Sequence, residues 1–209
     1  LDVMIPTGWS GLSTRYWLIG DHNLSVGYIA RRAWERGLER TDFYRRQLTA
    51  VCGEPAAEGM LEAMQTLEQV TIALEQRGLG LMFPVPGMLM KFWKPGELPE
   101  VLVDARHQYI RALNSVRKAD RARRATLGES GSRARSAAAD EYLAYWMGRF
   151  TFGAGYIDTI ETVHKAATAE AQAAEAKQAG KTDEHDAKLA EAARLAREAE
   201  QTVRNAIDA

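Results

Sequence analysis

The feature that most constrains this chain is its last third, where a helical reading runs from about Arg135 to Gln178 and, after Gly180, resumes over Asp183 to Asp208. Two long helices joined by so short a turn bury their faces most economically by folding back on each other, so an antiparallel hairpin is expected. In the first, Tyr142, Tyr145, Trp146, Phe152, Tyr156, Ile160, Val163 and Ala167 form one apolar stripe. In the second, Leu189, Ala192, Ala193, Ala196, Ala199, Val203 and Ile207 recur at close to heptad spacing. An alanine seam permits close approach but buries little area. At ~25 cal/mol per Å2 it is marginal alone, so other packing partners are expected.

The upstream sequence also reads as helices. Asp21 caps one from His22 to about Arg36, with Leu24, Tyr28, Ile29, Ala33 and Trp34 on one face and Gly37 at its end. Thr41 opens the next, which carries Phe43, Tyr44, Leu48 and Val51 to Gly53. Pro55 opens a third, to Gln76, striped by Met60, Leu61, Met64, Leu67, Val70, Ile72 and Leu74. A fourth spans Glu100 to Thr126 with Leu102, Ala105, Tyr109, Leu113 and Val116 inward, before a polar break at 128–132. The only strand-like segment is Leu1 to Pro6, short, apolar and closed by proline. Because the chain opens on Leu1 and enters that segment at once, it reads as beginning inside a folded domain. The fold class expected is mainly α.

Residues 79–99 break helical logic with four prolines and three glycines, yet keep Phe83, Met88, Leu89, Met90, Phe92 and Trp93. An apolar loop of that length must lie against something, either a neighbouring domain or the lip of a cleft. Its longest apolar run, Leu79 to Met90, falls well short of the ~20 residues of a membrane helix, so a soluble chain is expected.

A net charge of -1 exerts no overall pull toward nucleic acid or anionic lipid, and neither partner is expected. The basic cluster Arg111, Arg117, Lys118, Arg121, Arg123, Arg124, Arg133 and Arg135 lacks interleaved aromatics and reads as a solvated helix face. Cys52, the single cysteine, excludes an internal disulfide and reads as core packing. His22, His107, His164 and His185 lie in different helices without an i, i+4 partner, so no metal is expected, nor any other cofactor.

The loop from Thr7 to Asp21 (TGWSGLSTRYWLIGD) is the most distinctive segment. Aromatic faces beside an arginine and hydroxyls suit a sugar, whose C–H faces stack on Trp or Tyr while its polar groups take charge-assisted hydrogen bonds. The alternative is that Trp9 and Trp17 cap the core of the adjacent helix. Asp21 is the only acid there, and N-capping accounts for it, whereas glycoside hydrolysis ordinarily needs two carboxyl groups.

VMIPTGWSGLSTRYWL, then GYIARRAWERG, then DFYRRQLTAVCGEPAAEGMLEAMQTLEQ, resembles the end of a TIM-barrel glycoside hydrolase of the β-N-acetylhexosaminidase-like and α-glucuronidase-like groups running into a helical C-terminal domain. YWMGRFTFGAGYIDTIETVHKA looks like later helices of such bacterial enzymes. The resemblance rests on texture and order across nearly the whole chain. It implies that 1–37 is the last strand, active-site loop and helix of a truncated (β/α)8 barrel, 38–133 a helical domain and 134–209 a helical hairpin. It further implies that Trp9 walls a sugar pocket with Arg15, Tyr16 and Trp17 at its rim, and that the catalytic carboxylates lie upstream, leaving this fragment inactive. Carbohydrate substrate, the upstream barrel of the same polypeptide as partner, and a secreted or periplasmic location follow from the same resemblance. The rival expectation is a helical structural or partner-binding module without catalysis, whose final hairpin binds the partner.

Overall fold

In the computed structural model, Thr7 and residues 23–79, 89–126 and 133–208 are described. Their regular structure is six α-helices: α1 (Asn23–Arg32), α2 (Arg40–Cys52), α3 (Glu54–Gln76), α4 (Glu100–Thr126), α5 (Arg133–Gln178) and α6 (Thr182–Ile207), with a 3-10 turn at Met90–Phe92. No strand occurs among the described residues. The expected starts and stops of α3 to α6 agree with these bounds to within two residues. α1 is shorter than expected because its backbone leaves the helix after Arg32. Thr41 is not the cap of α2. That position belongs to Glu39, whose side chain makes no capping bond.

The organising element is α5, whose 46 residues span roughly 69 Å. It is covered by different neighbours at different heights. Leu143, Trp146 and Phe150 enter a core built from Phe43, Leu48, Met60, Leu61, Leu113 and Val116 of α2, α3 and α4. One turn further on, Tyr156, Ile157 and Ile160 meet Val70 and Leu74 at the end of α3 and Leu102 and Ala105 at the start of α4. Beyond that, Ala166 and Ala169 pack on Ala192 and Leu195 of α6. The buried face therefore turns around the helix along its length. The single stripe expected for α5 misplaces Tyr145, which is exposed, and omits Leu143, Phe150 and Ile157, which are fully buried.

Glycines set the close crossings. A Cβ on Gly153 would lie 2.7 Å from the ring of Tyr109 on α4, and one on Gly155 would lie 2.7 Å from Cβ of Ala206 on α6. Each glycine inside a helix costs about 1 kcal/mol relative to alanine. Here that cost is offset by contact between helices. At the far end α5 closes on Gly180, whose φ of 71° is left-handed, and Lys181 N donates to Ala176 O at 2.9 Å. This 6→1 bond is a Schellman closure that reverses the chain into α6.

The truncated-barrel reading is overturned here. A last barrel helix would lay its apolar face on a sheet, but α1 lies on α2, where Tyr28 meets Phe43 and Tyr44 with ring centroids 6.0 and 6.4 Å apart. Among the described residues the helices bury their faces against one another. The phrases that carried the resemblance, an aromatic four residues after a small residue and aromatics repeating along a helix, are what any helix with an aromatic packing face requires. The expected strand Leu1 to Pro6 lies outside the described residues.

Adjacent residues on α5 test this packing. Trp146 is 2% exposed and Tyr145 42%. Trp146→Ala is expected to lower the unfolding free energy by about 3–5 kcal/mol, and Tyr145→Ala by roughly 1 kcal/mol or less, as measured by urea denaturation. Equal losses would show that α5 is not seated on this face.

Candidate functional site

Trp9, Arg15, Tyr16 and Trp17, the residues expected to wall a sugar pocket, lie outside the described residues, as do Asp21 and His22. The remaining features that bear on function fall into three regions.

The first is the segment after the 3-10 turn, which crosses α5 as a strap. Phe92 approaches His164 with ring centroids 6.2 Å apart, and His164 Nδ1 donates to Lys94 O at 3.0 Å. Trp93 Nε1 donates to Glu170 Oε2 at 2.8 Å, and Gly96 N donates to Thr168 Oγ1 at 3.2 Å. Three polar anchors within two turns hold the strap where the alanine-rich helix offers little apolar grip. The apolar loop thus lies, over its described part, on the chain's own hairpin.

Between the strap, α5 and α6 runs an open groove of about 700 Å3. Its charges are matched within each helix: Lys165 with Glu161 at 2.5 Å, Lys188 with Glu191 at 2.9 Å, and Arg194 with Glu198 at 2.8 Å. The Lys188 ammonium holds Glu191 below the usual carboxylate range. The Thr168 hydroxyl donates to His164 O and the Thr162 hydroxyl to Asp158 O, while His164 is committed to the strap. These groups are thus bonded to backbone or to a neighbouring charge, while Glu97 and Gln172 line the groove without such a bond among the described residues. No cluster of three or more metal-ligating side chains occurs among the described residues.

The second region is the basic run on α4. Arg123 is buried, and it pairs with Asp140 of α5 and, at 3.7 Å, with Asp120. Arg124 reaches Asp120 at 2.8 Å and Asp140 at 3.4 Å. These two arginines clamp α4 to α5. Arg111, Arg117, Lys118 and Arg121 are exposed along α4, and the side chains of Arg133 and Arg135 lie outside the described residues. The signal that separates Arg123 from its neighbours is the pair of aspartates at Asp120 and Asp140, which sequence spacing alone does not bring together.

The third region is the outward face of α6. Leu189 is 48% and Ile207 64% exposed, although they are the largest apolar residues of that helix apart from the buried Leu195. The seam that faces α5 is instead Ala192, Leu195, Ala199 and Ala206. Elsewhere the exposed large apolar side chains are dispersed: Trp34 after α1, Val51 on α2, Ile72 on α3, Met90 in the 3-10 turn, Val103 and Ile110 on α4, and Tyr145 on α5. Among the described residues no helix is long and apolar enough to cross a membrane.

Cys52 is buried at the end of α2, and burial pushes its thiol up to about 12 against a small opposing pull from Arg123. Only the thiolate is a nucleophile, so Cys52 is inert in the folded chain. The folded state keeps a proton that the unfolded state releases at about pH 8.5, so its stabilising share is complete below that pH and is lost as pH rises toward about 12. Cys52→Ala is expected to flatten the fall in urea-measured stability between about pH 8 and about pH 10. Burial and the Glu68 hydrogen bond raise Tyr44 as well, so some of that slope is expected to remain. A slope identical in the two proteins would place the thiol in solvent.

For the strap, Trp93→Ala removes both the bond to Glu170 and the ring lying on the alanine seam. Faster tryptic cleavage after Lys91, with helix content unchanged, is the expected result; an unchanged rate would show that Trp93 does not hold the segment.

Comparison with protein-family models, with curated proteins and with solved structures finds no match. With no strand among the described residues, this leaves the glycoside-hydrolase resemblance without support.

Proposed function

We propose that the chain is a helical structural and partner-binding module without catalysis, and that the hairpin of α5 and α6 is its binding arm. The observation that carries this reading is the division of α6 into two faces. Ala192, Leu195, Ala199 and Ala206 are set against α5, while Leu189 and Ile207 are left exposed and Val203 partly covered on the outer side. A helix that presents Leu189 and Ile207 to water beside a seam already covered by α5 has a second packing requirement, because an apolar stripe is stabilising only when covered. The upstream bundle is the base for this arm. Its core is closed by Trp146, Phe150 and Leu143, and the Arg106–Asp158 and Arg123–Asp140 ion pairs tie α4 to α5.

The reading is tested with a photo-crosslinking amino acid placed at Leu189 or Val203, with Glu62 on the exposed side of α3 as control, in the cells that make the protein. Protein adducts at 189 and 203 but not at 62 are expected. Adducts at none of the three, or equally at all three, would remove the hairpin as a binding arm.

A further inference from the structure

α6 carries two heptad registers side by side. Ala192, Leu195, Ala199, Thr202 and Ala206 alternate at three and four residues and face α5. Leu189, Ala193, Ala196, Glu200, Val203 and Ile207 alternate at four and three along the adjoining face. At about 100° per residue, the second set stays within an arc of about 80°, and Leu189 and Ile207, about five turns apart, point the same way. Of its apolar members, Leu189, Ala193 and Ile207 are exposed, and Ala196 and Val203 are partly covered. A helix with two such seams is built to be shared between two partners, and α5 supplies only one of them.

The charges at the middle of the outer seam say which partner fits. Glu200 lies in the seam, and Arg197, three residues earlier, lies on the flank of the seam that points away from α5. A second α6 laid alongside in the same direction would set Glu200 against Glu200 and Arg197 against Arg197. Laid in the opposite direction about a two-fold axis near residue 198, it brings Arg197 to within one residue, about 1.5 Å along the axis, of Glu200 of the second copy, and the reverse pair forms by symmetry. The same operation sets Leu189 against Ile207 and Ala193 against Val203, so a large side chain faces a large one at both ends. Ala196 then faces Glu200, whose stem lies along the seam and whose carboxylate is held by Arg204 of its own helix at 2.7 Å. A carboxylate has acceptor sites for a second guanidinium, so Arg197 of the other copy adds to that contact and displaces nothing. The opposed direction also sets the two helix dipoles antiparallel, the favourable arrangement for helices side by side.

We infer that this chain pairs with a second copy of itself through the outer seam of α6 in antiparallel register, so that two α5–α6 hairpins form a four-helix bundle. This inference rests on the binding-arm reading above and names its partner. The pairing supplies the cover that an alanine-rich hairpin lacks on its own.

The purified full chain is examined by sedimentation equilibrium, and a dimer is expected. Leu189→Glu should be monomeric with unchanged helix content. Arg197→Glu, which sets a carboxylate against Glu200 of the other copy, should weaken the dimer, and the double swap Arg197→Glu with Glu200→Arg should recover it. Register is read in a Cys52→Ala background by mixing single-cysteine Leu189→Cys and Ile207→Cys chains and oxidising them. Disulfides between the two variants are expected, with little from Leu189→Cys alone. Leu189→Cys coupling to itself would overturn the antiparallel register. A chain that remains monomeric to about 100 μM, well above the range of a specific homodimer, would overturn self-pairing. If that monomer still gives adducts to a different protein at position 189 in cells, the binding arm stands and only the second copy is removed. If it gives none, both fall.

Discussion

Everything in this molecule depends on covering one very long helix. α5 is too long for any single neighbour, so its environment is assembled in stages: aromatic and branched residues against α2, α3 and α4, then a short stretch where α3, α4 and the strap converge, then alanine against α6. Side-chain size falls along the helix, and helix spacing should fall with it, because the distance between packed helices is set by the residues at the contact. The glycines at 153 and 155 sit between the first of these stages and the second, one receiving the Tyr109 ring and the other the Ala206 methyl.

The gradient has a thermodynamic consequence. The first half of α5 buries large surfaces in a core such as any helical domain needs. Each such side chain is worth about 1.5–3 kcal/mol. From Ala166 onward α5 buries methyl groups, so this part of the hairpin gains less per residue and draws on directional bonds. That accounts for the strap, which engages α5 through His164, Thr168 and Glu170. It also accounts for the series of i, i+3 and i, i+4 ion pairs on the hairpin surface, each a small contribution because solvent screens it. An arm held this way gains from any partner that covers its remaining apolar face.

Much of the helical content was legible in the residues themselves. Pro55 and Gly78 bracket α3, Pro99 precedes α4, and Gly180 divides α5 from α6, each through a backbone preference that does not depend on the rest of the chain. The candidate site was far less legible. In α6, Leu189, Ala192, Ala193, Ala196 and Ala199 satisfy two heptad registers at once, and periodicity cannot say which of them meets α5. The resemblance to a glycosidase failed for a related reason, since repeated aromatics and alanines record helical packing without recording what is packed.

What the sequence by itself determined is where the helices from α3 to α6 begin and end, and that the last two fold back on each other, because those outcomes follow from local conformational preference and from the left-handed glycine at the turn. Only the tertiary structure decided which face of each helix is inside: that Arg123 is a buried clamp while Arg121 is surface, and that α6 turns Ala192, Leu195, Ala199 and Ala206 inward and Leu189 and Ile207 outward. The physical reason is that burial is a property of pairs. A side chain's fate depends on the size and charge of whatever arrives opposite it, and for Arg123 and Ala192 those partners come from α5, a separate element of the chain.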